Sequence, residues 1–174
     1  MISFDTGLGA FNYRAAAVCI HDGHALLHKF AGDDFWALPG GRVEFGETAE
    51  RAVARELGEE LGAAREPRVE RLLWVVENYF THQGTRNHEL GLYYLVSFAP
   101  HATIYDTTRE HIGIEDTGHD GLPLKLIFRW FPLDRLAGER IYPTFLRERL
   151  RALPATVEHI VHIDPSEYCV SSPA

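Results

Sequence analysis

The sequence predicts a single α/β domain. Three observations carry this: β-branched and aromatic stretches come in pairs around turn signals, one strongly patterned helix stands between the pairs, and a strand, a helix and a strand close the chain. With 174 residues, 45% of them hydrophobic, there is material for one compact unit with its own core. No internal repeat or linker divides it, so the core is expected over about residues 12–164, with a frayed tail over 165–174.

In chain order, residues 13–20 (YRAAAVCI) and 24–29 (HALLHK) flank His21-Asp22-Gly23 and read as a hairpin. Phe35 and Trp36 are expected to pack under the glycine loop that follows, where Leu38-Pro39-Gly40-Gly41 breaks regular structure. Thr48 caps a helix running to about Leu61, and Gly62 stops it in a left-handed conformation. Val69 to Phe80 and Glu89 to Phe98 form a longer hairpin across THQGTRN. Residues 99–121 lack periodicity and read as a functional loop, such as a lid or binding loop, or as a plainly mobile one. LKLIFRWF (124–131) is a strand with Trp130 in the core, Thr144 to Leu153 an amphipathic helix after Pro143, and VEHIVHI (157–163) a last strand.

Lys and Arg number 17 against 25 Asp and Glu, and the formal charge of -8 disfavours a nucleic-acid polymer as partner. Any phosphate handled here needs a metal. No basic leader opens the chain and no apolar run approaches the roughly 18 residues of a membrane span, so a cytoplasmic protein without a membrane partner is expected. Cys19 lies in the apolar run AAAVCI as a core thiol, Cys169 lies in the tail, and none of the ten histidines shows zinc spacing.

RELGEELG (55–62) gathers three glutamates within five positions. At about 100° per residue from Glu56, Glu60 falls near +40° and Glu59 near -60°, so the carboxylates share one arc. Val53, Leu57 and Leu61 fall at roughly +60° to +140°, which places the carboxylates along the edge of the buried stripe. Like charges at this spacing destabilise a helix by roughly 0.2–0.5 kcal/mol per pair, and Gly58 costs about 0.8–1 kcal/mol more. A hard divalent cation would offset this; a solvated acidic face is the other reading. The loop FWALPGGRVEFGE, running straight into the helix start, lets backbone groups approach a ligand beside the carboxylates and favours the first.

Residues 41–63, GRVEFGETAERAVARELGEELGA, resemble the signature box of the Nudix hydrolase family: a glycine, five residues, Glu47, seven residues, Arg55-Glu56-Leu57, one residue, Glu59-Glu60, one residue and Gly62. Ala63 departs from the larger aliphatic usual there. The resemblance implies an α/β/α sandwich around a mixed β-sheet and Mg²⁺-dependent hydrolysis, with Mn²⁺ a possible substitute, of a nucleoside diphosphate linked to another group. By the same resemblance Glu56 and Glu60 are metal ligands, Glu59 is a further ligand or orients the attacking water, and Arg55 orients Glu56. Glu47 holds the loop to the helix, the carbonyl of Gly41 adds a metal oxygen beside Gly40, and Lys29 contacts phosphate. The general base is a box glutamate or an acid of the 99–121 loop, where Glu110, Glu115, Asp116 and Asp120 are candidates and Glu115 is preferred. Family members are often dimers, which makes a homodimer a possible partner state.

Substrate is less constrained. WVVENYF, NHELGLYYLV and FRWFPLDRL resemble Nudix proteins labelled ADP-ribose pyrophosphatases, yet Tyr79 stands where ADP-ribose specialists carry proline, and members cleaving dinucleoside polyphosphates have a tyrosine nearby. Tyr79 or Phe80 could stack on a base or pack within the strand, and Glu89 with His88 could face substrate or solvent. ADP-ribose or a nucleotide sugar, a dinucleoside polyphosphate and a nucleoside triphosphate all stay open. The alternative function is a catalytically silent, regulatory nucleotide-binding domain, against which the intact Glu56, Glu59 and Glu60 count. An isomerase of the same fold needs a cysteine that neither Cys19 nor Cys169 supplies.

Overall fold

A computed structural model describes residues 1–62, 66–115 and 124–164. In chain order the elements are β1 (Ser3–Asp5), β2 (Ala10–Val18), β3 (Ile20–His21), β4 (His24–Phe30), β5 (Gly40–Arg42), α1 (Ala49–Leu61), β6 (Arg68–His82), β7 (Thr85–Ser97), β8 (His111–Glu115), β9 (Leu124–Pro132), α2 (Leu146–Arg149) and β10 (Glu158–Ile163). One sheet runs β1-β2-β7-β6-β10, with β5 also on β2; the other runs β3-β4-β9-β8. β2 with β7 and β6 with β10 are parallel, and the remaining pairs are antiparallel, so the first sheet is mixed.

Small residues set the layering. Ala15 and Ala17 face a core under α1 with Leu26, Val53, Leu57 and Phe128. Ala16 and Val18 face a second core with Trp74, Val76, Tyr93, Leu136, Leu146 and Leu150 on the far side. The strands thus lie between α1 and a layer of short helical turns, the α/β arrangement expected. α1 keeps its signals: Thr48 Oγ1 accepts from Arg51 N–H at 3.3 Å, Gly62 takes φ 88°, and Val53, Leu57 and Leu61 are buried.

Four expectations change. YRAAAVCI is mainly a central strand of the first sheet, and only Ile20–His21 turns back on β4. The second hairpin is longer than expected because Gln83 (φ 49°) and Gly84 (φ 78°) make a two-residue left-handed turn, drawing the rest of THQGTRN into strands. The expected loop at 99–121 holds structure: a 3₁₀ turn at Thr103–Tyr105, pinned by Trp130 Nε1–H to the Ile104 carbonyl at 2.6 Å, and then β8. Finally, the helix expected over 144–153 is one α turn, Leu146–Arg149; the bonds flanking it, such as Leu146 N–H to Pro143 and Arg151 N–H to Glu148, close tighter i−3 turns. No helix among the described residues is long and apolar enough to cross a membrane.

Candidate functional site

Arg55 is the hub of the acidic cluster. Its Nε donates to Glu47 Oε1 at 3.0 Å and its Nη2 to Glu47 Oε2 at 3.1 Å, while Nη1 donates to Glu56 Oε1 at 2.9 Å and to Glu59 Oε2 at 3.0 Å. The repulsion inferred from glutamate spacing is therefore offset first by a residue of the same helix. Nη2 also reaches the Arg42 carbonyl, and Glu47 Oε2 accepts from Glu44 N–H, so the loop between β5 and α1 is stitched to the helix. These bonds, Arg55's above all, hold the Glu47 carboxyl below its usual range and push the guanidinium up. Glu56 moves the other way: burial outweighs the pull of Arg55 and raises it.

Two glycines shape the floor. Gly40 has φ 130°, and a Cβ there would strike the Ala15 carbonyl and lie 2.9 Å from Ala16 Cα. At Gly41 an added Cβ would fall on the Glu56 carboxylate, so the side chain of Glu56 rests in the space glycine leaves. Glu60 is 6% exposed, and its carbonyl lies against Gly113 of β8, where a Cβ would overlap it. This contact brings the second sheet to the acidic helix.

Two residues that sequence reasoning missed complete the cluster. Arg14 of β2 donates from Nη2 to the carbonyls of Leu38 at 3.2 Å and Gly40 at 2.8 Å, fixing the glycine loop, and its charge acts on Glu56. His28 of β4 places Nδ1 3.7 Å from Glu60 Oε1. Burial, reinforced by Arg14, lowers its pKa to about 3 and keeps the imidazole neutral. Both stand on strands remote in sequence from the box, so only alternation along β2 and β4 could have signalled their sides.

The other expected site residues lie further apart. Lys29 follows His28 and by strand alternation faces the other way; its Nζ donates to the Asp33 carbonyl at 2.8 Å and sits 5.1 Å from the Trp36 ring centre. Tyr79 donates to Glu77 Oε2 at 3.0 Å and lies against His88, with ring centres 4.3 Å apart. Phe80 is half-buried on the opposite side of β6, the side of Asn78. Glu89 is buried and accepts from Asn78 Nδ2 at 3.4 Å, so it lines the sheet face and not the solvent. Glu110 pairs with Arg129 at 3.0 Å. Glu115 pairs through its backbone with Leu124; its side chain, with Asp116 and Asp120, lies outside the described residues. Gly58, which the sequence leaves as either a point of close approach or a tolerated cost, has nothing within 4 Å of an added Cβ among the described residues. Cys19 is buried and its thiol pushed up to about 12 by burial, as a core thiol should be; Cys169 lies outside the described residues.

The donor set fits a small hard cation. Glu56 and Glu60, one turn apart, offer carboxylate oxygens beside the glycine loop, and Mg²⁺ uses one or two carboxylates with water and phosphate oxygens in preference to a protein cage. No three His, Cys, Asp or Glu side chains converge as a cage among the described residues.

Comparison with known proteins agrees with this geometry. The model of the NUDIX domain matches residues 12–152. A curated RNA pyrophosphohydrolase of Haemophilus influenzae (strain PittEE) is 34% identical over 86 residues, 48% of this chain; the chain spans only 40% of that relative's length. Among solved structures, a UDP-X diphosphatase superposes with TM-score 0.56 at 19% identity over 86% of this chain and 66% of that one. A Bacillus halodurans MutT protein does so with TM-score 0.52 at 13% identity, over 92% and 95%. These two share the fold. With the family model covering most of the chain and the acidic helix built as its signature box requires, the protein belongs to the NUDIX family.

Proposed function

We propose that the protein is a Mg²⁺-dependent pyrophosphohydrolase, with Mn²⁺ able to substitute, that cleaves the diphosphate bond of a nucleoside diphosphate linked to another group. One observation carries it: Arg55 ties Glu47, Glu56 and Glu59 into a single constellation, with the Glu56 carboxylate seated on Gly41 and Glu60 buried on the next turn. The relative named RNA pyrophosphohydrolase supports a diphosphate as the bond class. Glu56 and Glu60, with the carbonyl of Gly41, would hold the cation. When bound, Mg²⁺ supplies neutralisation of phosphate charge and activation of water.

The chain's own residues do the rest. Arg55 fixes the direction of Glu56, and Glu47 holds Arg55 through two parallel bonds. Arg14 and Gly40 hold the loop whose next residue is Gly41. Glu59, whose side chain is 61% exposed, would serve as a further ligand or orient the attacking water, and Glu115 stays the preferred general base.

The test is a panel of nucleoside di- and triphosphates, ADP-ribose, nucleotide sugars and dinucleoside polyphosphates, assayed for product release with Mg²⁺ or Mn²⁺. The expected result is metal-dependent cleavage abolished in Glu60→Gln. Binding of any of these ligands without cleavage across the panel would replace the hydrolase with a nucleotide-sensing domain.

A further inference from the structure

We propose that His28 is a positioning residue for Glu60: in the metal-loaded protein its Nδ1–H donates a hydrogen bond to the Glu60 carboxylate and fixes the angle at which that carboxylate meets the cation. This rests on the reading of Glu60 as a metal ligand.

The observation is an incongruous nitrogen. His28 is 8% exposed on the side of β4 that faces the core under α1, its ring 5.4 Å from that of Phe128. Its Nδ1 is buried and has no hydrogen-bond partner among the described residues. A buried polar atom left so is disfavoured, and an apolar side chain would fill the same space without that penalty. The acidic atom recorded beside it is Glu60 Oε1 at 3.7 Å, just beyond hydrogen-bonding distance. The helix cannot drift to close this gap, because the Glu60 carbonyl already lies against Gly113 and the Phe128 ring flanks that glycine. A small rotation of either side chain closes it. A ring nitrogen that carries its hydrogen meets the carboxylate as a directional donor. Partners of this kind set the orientation of ligating carboxylates.

The full chain, with Mn²⁺ as probe, tests this. Dissociation constants come from the free Mn²⁺ signal in electron paramagnetic resonance, for the wild type, His28→Phe and His28→Asn; asparagine keeps an N–H near the Nδ1 position. His28→Phe is expected to weaken Mn²⁺ binding roughly 10–100-fold, with the metal-free melting temperature held or raised, and His28→Asn to recover most of the loss. Nitrogen-15 spectra of the wild type loaded with diamagnetic Mg²⁺ are expected to show the Nδ1-protonated tautomer. Wild-type affinity in His28→Phe, or no recovery in His28→Asn, overturns the assignment. So does direct ¹⁴N coupling to Mn²⁺ in pulsed spectra, which would make His28 a ligand. If His28→Phe does not fold, His28→Asn against His28→Gln decides, since glutamine places its N–H at the other ring nitrogen. Should the wild type bind no Mn²⁺, Glu60 is not a metal ligand and the proposed function fails first; binding that the variants leave unchanged sinks the His28 role alone.

Discussion

Replacing Gly41 with alanine isolates the seat of Glu56. The backbone there is not left-handed, so alanine brings only its methyl group. That carbon would stand 2.5 Å from Glu56 Oε1 and closer still to Cδ and Oε2, whereas ordinary contact begins at 3.4 Å. The carboxylate must withdraw by about 1 Å, the shortfall between that overlap and an optimal carbon contact. This breaks its 2.9 Å bond from Arg55. A displacement of that size at a reacting centre costs about 100-fold, or about 2.7 kcal/mol of transition-state stabilisation. Stability should change by less than about 0.5 kcal/mol, because what moves is the far end of a flexible side chain. The measurement is kcat/KM on the best panel substrate across a Mg²⁺ titration, with a melting curve of the metal-free protein. Activity within about threefold of wild type at unchanged Mg²⁺ demand would show that Glu56 is not used where the structure seats it.

Gly58→Ala should stabilise the helix by about 0.8–1 kcal/mol, since the new methyl meets nothing among the described residues, and raise Tm by roughly 2–4 °C at full activity; a loss of activity would mean that a ligand fills the open space. Arg14→Met strips the Leu38 and Gly40 carbonyls of their donor and should raise the Mg²⁺ concentration for half-activity roughly tenfold or more, read from the same titration. Glu47→Gln tests linkage. The folded carboxyl of Glu47 lies below its unfolded value, so its stabilisation is present above about pH 4.3 and is lost as pH falls through the folded value. The variant should therefore show a flatter acid limb in Tm against pH, and an unchanged limb would refute the pairing.

Legibility followed locality. The capped helix from Thr48 to Gly62 could be read because its start, stripe and stop lie within one short segment. β8 could not, because its alternation is inverted: His111 and Gly113 point inward, and Ile112 and Ile114 are 51% and 55% exposed. Gly113 is there to admit the helix, so packing against a neighbour overrode the hydrophobic pattern. Leu146 and Leu150 gave the right face for the second helix but not its length, which the tight turns at both ends cut to one α turn. At the site, Glu47, Arg55 and Glu56 were legible as a spaced motif. Arg14 and His28 were not, since their roles arise from strand pairing across the chain.

The parallel pairing of β2 with β7 sets Arg14 opposite Gly91, and 91 − 14 = 77 residues of chain separate them. Contacts of such span are among the slow steps of folding, because the loop entropy is lost before the pairing is gained. The glycine loop, the acidic helix and the β2–β5 pairing are near in sequence and can meet early, whereas the β2–β7 pairing beside Arg14 forms only once the β6–β7 hairpin docks. Recovery of the proposed activity after dilution from denaturant should therefore lag behind recovery of helical signal.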